Sequence, residues 1–265
     1  MSVTNDPSGR RCLTISVDLE AAPPVVWEAV ASEAGLSAWF LPSEIFLGFD
    51  GEPARLTLHL GPHTSRSVEL KEWVTGHRFQ AVYEEPAPQA PPLTVSVELQ
   101  RQGRGSRLSL LHTLDTTTDE WDALLTQAAE GWAGFLRILA LYLNYFAGRR
   151  SASCTVQIAT TLHAEKAWEL LAEPLGLYLA APGQWCRSEV DAPVLAGLLE
   201  GEAANSAGAI LRTDEPAPGL AYLRVANMHG FRVPTVRLYL YGEQAPAVIR
   251  RQEPQWQAWL SDLFG

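Results

Sequence analysis

The sequence predicts an α+β protein made of two tandem copies of one module, each an antiparallel sheet wrapped around a C-terminal helix. Three observations carry this. First, marks recur in order at a near-constant offset. Trp27 in Ala22-Pro23-Pro24-Val25-Val26-Trp27-Glu28 answers to Trp168 in His163-Ala164-Glu165-Lys166-Ala167-Trp168-Glu169 (168 − 27 = 141). Gly76, before His77-Arg78-Phe79, answers to Gly219, before Leu220-Ala221-Tyr222 (219 − 76 = 143), and Thr94 answers to Thr235 (235 − 94 = 141). Self-similarity at a fixed period marks a duplicated unit. Second, short stretches with an apolar residue at every other position follow one another between Gly and Pro turns, as in an antiparallel meander with one buried face. Third, the period then changes from 2 to 3.6, over one long stretch.

The elements of the first copy follow in order. Leu13, Ile15, Val17 and Leu19 alternate with Thr14, Ser16, Asp18 and Glu20, which predicts a half-buried strand. Pro23-Pro24 opens a short helix, because proline suits a first helical turn; Val26, Trp27 and Val30 keep helical spacing. A second short helix carries Leu36, Trp39 and Phe40 and stops at Pro42. Strands are then read from Leu56, Leu58 and Leu60, from Val68 and Leu70, from Phe79, Ala81 and Tyr83, from Val95, Val97 and Leu99, and from Leu108, Leu110, His112 and Leu114. Residues 87–92 form a proline-rich loop. Thr117 and Glu120 have capping-box spacing. Beyond them Trp121, Leu124, Leu125, Ala128, Trp132, Phe135, Leu136, Leu139 and Leu143 make one stripe at helical spacing, predicting a long amphipathic helix over residues 118–146.

Gly148-Arg149-Arg150-Ser151 reads as the linker, so the modules are expected over residues 12–148 and 153–264. In the second copy, strands are expected over 155–162, 210–213, 220–225 and 236–240, and the first helix over 164–172. Its final helix is expected to be short. Proline removes a donor and stops a helix arriving from upstream, so Pro254 predicts a start there, leaving Trp256, Trp259, Leu260 and Leu263 to be buried. The second module is therefore expected to be a degenerate copy.

Composition narrows the functional classes. The chain has 265 residues, 47% hydrophobic and 19% charged, enough apolar side chain for two cores. Its formal net charge of −10 argues against nucleic acid, whose phosphates need a basic face. Cys12, Cys154 and Cys186 are widely spaced, with no Cys-x-x-Cys or paired-histidine pattern, so no metal is expected, and the low count suits a reducing compartment. Residues 1–11 are polar and do not read as a secretory leader. The longest apolar run, residues 135–146, is broken by Arg137 and Asn144 and is too short to span a bilayer. The expectation is a cytoplasmic protein without membrane insertion.

The order of strand, two short helices, strand meander and long helix is the helix-grip order. Val26-Trp27, Trp39-Phe40, the Val68-Glu69-Leu70 strand leading to Gly76-His77-Arg78-Phe79, and Glu130-Gly131-Trp132-x-x-Phe135-Leu136 resemble the START-like (SRPBCC) superfamily. The nearest branch is the Aha-type homologues, named after the activator of the heat-shock-protein ATPase. The resemblance covers residues 12–148 directly and residues 153–264 only through the repeat. It implies a cavity between sheet and helix. In the wider superfamily such cavities hold lipids, sterols, polyketides or hormones, and a minority of members catalyse cyclisation, dehydration or hydrolysis there. Fold alone does not choose between these.

The candidate ligand-binding residues are Trp39, Phe40, Tyr83, His112, Trp132, Phe135 and Leu136. Tyr83 and His112 have the inward parity of their strands. A buried polar group needs a partner, which a ligand, a water or a neighbouring side chain can supply. Trp39-Phe40 is either the lip of a pocket or a plug of the core. Gly131 and Gly134 flank Trp132 and either leave room for a ligand or let helix and sheet approach. No Gly-x-Ser-x-Gly elbow, P-loop, zinc-protease motif or dinucleotide fingerprint occurs, and no inward pair of carboxylates is visible, so no catalytic residue or cofactor is expected. The reading is a non-enzymatic protein that holds a small apolar or amphipathic ligand in its first module. The alternatives are a protein-interaction or chaperone-cofactor-like module, and a cyclase- or hydrolase-like enzyme using the same cavity.

Overall fold

The computed structural model describes residues 2–61, 64–203, 208–228 and 230–265. The chain divides into two compact units, Met1–Ala147 and Gly148–Gly265. In the first unit the strands are β1 (Thr4–Asn5), β2 (Arg11–Leu19), β3 (Ser43–Leu47), β4 (Pro53–Gly61), β5 (Thr64–Val74), β6 (Arg78–Tyr83), β7 (Leu93–Gln102) and β8 (Gly105–Leu114). They form one antiparallel sheet in the order β1-β2-β8-β7-β6-β5-β4-β3. Helices α1 (Pro23–Ala31) and α2 (Glu33–Trp39) connect β2 to β3, and α3 (Asp122–Tyr145) closes the unit.

The predicted alternation sets the register. Leu13 lies opposite His112 and Ile15 opposite Leu110, while Val95 lies opposite His112 and Val97 opposite Leu110. All six side chains are buried, so one face of β2, β8 and β7 forms a continuous apolar surface. Leu60 departs from its expected parity. The β4–β5 register shifts between His59 and Gly61, and Leu60 turns out to 39% exposure although Leu56 and Leu58 are buried. A bulge adds one residue to a strand and so reverses every later side chain.

At the outer edge, α2 caps the free side of β3. The Ile45 N–H donates to Oε1 of Glu33 at 2.6 Å and the Ser43 N–H to Oγ of Ser37 at 3.0 Å. Edge donors satisfied in this way do not recruit another strand. Helix α3 starts later than the spacing predicted. Asp119–Trp121 is a 3₁₀ turn, and the N-cap position, Trp121, offers no side-chain bond. Asp122 instead takes the guanidinium of Arg11 on β2 through both carboxylate oxygens. A charge-assisted, two-point contact outweighs a neutral capping box.

The second unit has β9 (Ser151–Gln157), α4 (Ala164–Ala172), β10 (Trp185–Arg187), β11 (Ala196–Glu202), β12 (Gly208–Glu215), β13 (Gly219–Met228), β14 (Phe231–Tyr241) and α5 (Ala245–Phe264). Its six strands run antiparallel in the order β10-β11-β12-β13-β14-β9. Helix α4 has the expected bounds. Its follower is reduced to a 3₁₀ turn, Glu173–Leu175. The strands β10 and β11 carry too little alternation to be read from sequence.

The expected short final helix is corrected. Helix α5 begins at Ala245, not after Pro254, and runs through Pro254 for 20 residues against the 24 of α3. An interior proline costs one backbone hydrogen bond and a clash, about 3 kcal/mol. Here Pro254 lies on the exposed side, and Ala245, Val248, Ile249, Trp256 and Leu260 bury a continuous stripe on both sides of it. Burying a large aliphatic side chain contributes about 1.5–3 kcal/mol, so the stripe holds both halves down despite the missing donor. Trp256 and Leu260 are fully buried, and Trp259 packs partly buried against the same core. No helix among the described residues is long and apolar enough to cross a membrane.

Candidate functional site

The inward face of the first sheet meets α1, α2 and α3 around a cavity of about 60 Å³. Strands β4, β6, β7 and β8 supply Leu56, Leu58, Phe79, Ala81, Tyr83, Val95, Val97, Leu108 and Leu110. The helical side supplies Val30, Leu36, Trp39, Phe40, Trp132 and Leu136. The lining is apolar apart from the Tyr83 hydroxyl and the indole N–H groups of Trp39 and Trp132.

Two of those groups are accounted for locally. The Trp39 indole donates to the Ala29 carbonyl at 2.8 Å, and the side chain is 2% exposed. Trp39 is thus both a wall of the cavity and the pin between α1 and α2. The two helices meet at Gly35, where a Cβ would lie 2.1 Å from the Glu28 carbonyl oxygen. The Trp132 indole donates to Nε2 of His112 at 2.9 Å.

That bond defines the state of His112. Nε2 accepts, so the proton of the neutral ring sits on Nδ1. Nδ1 is buried without a hydrogen-bond partner. Burial pulls the pKa of His112 down to about 4, against a smaller upward pull from the Leu110 carbonyl. Burial also pushes the Tyr83 hydroxyl up, with the Arg66 charge opposing. Both groups are therefore neutral near pH 7.

Aromatic rings close the cavity. Phe40 stacks on Trp132 with centroids 5.1 Å apart and planes at 14°. Phe135 meets Phe40 edge-on at 4.7 Å. Phe40, Trp132, Phe135 and Tyr83 are half-buried, unlike the fully enclosed Trp39. Gly131, next to Trp132 in the chain, does not mediate a close approach, because a Cβ there would meet nothing within 4 Å.

Of the residues singled out in the sequence, Trp39, Phe40, Tyr83, Trp132 and Leu136 line the cavity. His112 and Phe135 lie behind the lining and touch it through Trp132 and Phe40. The remaining wall was visible only as inward parity on the strands, a pattern that marks core and cavity alike. The lining holds no carboxylate, histidine or nucleophile, so the cavity can bind apolar atoms and offer the Tyr83 hydroxyl. Among the described residues no group of three or more His, Cys, Asp or Glu is placed to hold a metal ion. The three cysteines are buried and free. Burial, then the Glu253 charge, pushes the Cys154 thiol up to about 12, leaving it inert.

Comparison with known proteins gives three results. Residues 20–144 match the family model described as Activator of Hsp90 ATPase homolog 1-like protein. No curated protein matches the chain. Solved structures with similar folds include BexL, a di-domain ARO/CYC from the BE-7585A biosynthetic pathway, at 12% identity and TM-score 0.46, covering 96% of this chain and 98% of that one. DynU16, from the dynemicin biosynthetic locus, has 16% identity and TM-score 0.43, with 94% and 96% covered. The Aha1 dimer from Colwellia psychrerythraea has 15% identity and TM-score 0.40, covering 52% of this chain and 98% of that one. The helix-grip topology recurs in both units, and in the first the residues from α1 to α3 are similar to the Activator of Hsp90 ATPase homolog 1-like family over residues 20–144.

Proposed function

We propose that the protein is a cytoplasmic, non-enzymatic binder of a small apolar or amphipathic ligand, held between sheet and α3 in the first module. The carrying observation is the apolar cavity whose outer wall is the half-buried Phe40–Trp132 stack. At about 60 Å³ the cavity is well below the roughly 300–1,000 Å³ of typical ligand sites. It is read as a closed state. A ligand larger than a few atoms enters by parting Phe40 from Trp132 and taking one ring's place. Hydrophobic contact supplies most of the affinity, and the Tyr83 hydroxyl orients a polar tip. The absence of paired polar groups in the lining favours binding over catalysis.

A fluorescent apolar probe tests this. It is expected to bind wild-type protein at micromolar concentration, and Trp132→Ala is expected to change its affinity while leaving the far-ultraviolet circular dichroism unaltered. Native mass spectrometry of protein from its own host would weigh a retained ligand directly. Failure of both the probe and a lipid extract to bind would defeat the reading.

The second reading is a protein-docking module. It rests on Phe46, Leu47 and Phe49 at the β3–β4 hairpin, which are 40%, 65% and 116% exposed. Adjacent exposed apolar side chains of this kind mark contact surfaces. Under this reading Phe49→Ser abolishes binding of a protein partner and leaves probe binding unchanged.

A further inference from the structure

A second hollow lies on the second module, between the turn after α4 and the edge strand β10. Its volume is about 380 Å³, within the usual range for small-molecule sites. Glu173, Tyr178, Leu179, Gln184 and Trp185 line it, with Cys186 at its base. Trp185 is 56% exposed and Leu179 is 75% exposed, so packing does not account for placing them there. Tyr178 is anchored on one side against the core of the module. Burial raises the Cys186 thiol above its usual range, so it forms an apolar base and not a nucleophile.

The rings stand on a built frame. Backbone bonds join Leu177 N–H to the Ala172 carbonyl and Glu189 N–H to the Pro174 carbonyl at 2.9 Å each, and Gly183 N–H to the Leu199 carbonyl at 2.8 Å. Gly176 turns the chain with φ 67°, and a Cβ there would come within 2.9 Å of the Arg187 carbonyl oxygen. The turn bearing Glu173 is thereby pressed against β10. Pre-set walls lower the cost of ordering on binding.

Cations stand near the hollow, but each is paired with another carboxylate. Glu173 makes no salt bridge among the described residues, whereas Lys166 is held by Glu169 at 2.7 Å and Arg187 by Glu215 at 2.5 Å. The Glu173 charge still acts on Lys166, though less than Glu169 does. Glu189 and Asp191 follow on the next loop, in a chain of net charge −10. Two electron-rich rings, an aliphatic wall and an unpaired carboxylate suit a cation that carries apolar surface. A hydrated metal ion would leave the rings unused.

We propose that this hollow binds an organic ammonium group, with Trp185 and Tyr178 facing the cation, Glu173 supplying the counter-charge and Leu179 covering the alkyl part. Cation–π attraction at an exposed site is modest, so simple ammonium compounds should bind in the millimolar range.

The test uses the full chain with ¹⁵N-labelled tryptophan and follows the indole N–H signals by NMR, the Trp185 signal being identified by its loss in Trp185→Leu. Choline is compared with 3,3-dimethylbutan-1-ol, its uncharged isostere. Choline is expected to shift the Trp185 signal saturably and the alcohol to leave it in place. Glu173→Gln, a change on an exposed side chain that leaves the fold intact, is expected to weaken choline about threefold or more. Equal response to both compounds, no response to either, or full choline affinity in Glu173→Gln overturns the proposal. Binding of the apolar probe to the first module is read separately in the same samples, so the two proposals fail independently.

Discussion

The Trp132 indole N–H, on α3, donates to Nε2 of His112, on β8, over 2.9 Å. This one bond ties the helix to the sheet beside the cavity and selects the tautomer of a buried imidazole. Trp132 also stacks on Phe40 from α2, so a change at His112 is transmitted to the cavity wall.

The first prediction concerns acid stability. Burial holds His112 at a pKa of about 4, below its ordinary 6.5. Between pH 6.5 and pH 4 the unfolded chain takes up a proton that the folded chain refuses. Stability is therefore complete above about pH 6.5, falls as the pH drops towards 4, and loses nothing further from this group below that. A depression of this size corresponds to up to about 3 kcal/mol. Urea denaturation at several pH values, compared with His112→Gln, should show a flatter dependence in the variant. An identical slope would refute this.

Trp132→Phe should keep the stack on Phe40 while removing the donor. Nε2 of His112 is then buried without a partner, which costs roughly 1–3 kcal/mol. Thermal unfolding should show a lower Tm. The double variant Trp132→Phe/His112→Leu should recover part of the loss, because both polar partners are then gone.

Gly35→Ala should be among the most damaging small substitutions in the first module. A methyl group there would sit 2.1 Å from the Glu28 carbonyl oxygen and 2.7 Å from the Ala29 Cα. Backbone cannot yield as a side chain can, so α1 and α2 must separate, straining the Trp39 bond to Ala29. Overpacking of this kind costs about 1–3 kcal/mol. Tryptophan fluorescence should report the movement of Trp39 even where the fold survives.

Pro254→Ala should stabilise the second module. The site is exposed and lies within α5, and alanine restores the missing donor, an effect of up to about 3 kcal/mol. An upward shift of the unfolding transition is expected, and a downward one would show that the helix needs its proline bend.

Asp122→Asn should loosen the start of α3. The carboxylate of Asp122 is held below the usual range by its bonds to Arg11. Hydrogen exchange should accelerate in the first turns of α3 and leave residues 138–145 protected. Uniform exchange along the helix would contradict the anchoring role.

Much of the architecture was legible because it depends on local repetition. Alternation in residues 13–19, 93–99 and 108–114 reports a strand with one buried face wherever its partners lie, and the stripe from Leu125 to Leu143 reports a helix for the same reason. Tyr83 and Trp132 could be named as cavity residues because parity and helical phase place a side chain on a face. The same rule gives direction and not depth, so it does not separate His112 and Phe135 from the residues that line the cavity.

The sequence by itself determined the duplicated α+β plan, the inward faces of the strands and the positions of α1, α3 and α4, because periodicity and proline or glycine punctuation act over a few neighbouring residues. Tertiary structure alone decided the rest. Helix α5 runs through Pro254 because distant strands bury Val248, Ile249, Trp256 and Leu260 together. Leu60 points outward because of how β4 pairs with β5. His112 receives the Trp132 indole because a helix 20 residues further along the chain returns to β8. The hollow beside Trp185 exists because the turn at Gly176 is pressed onto an edge strand. In each case the deciding energy comes from groups brought together by folding, and such contacts leave no periodic trace in the order of residues.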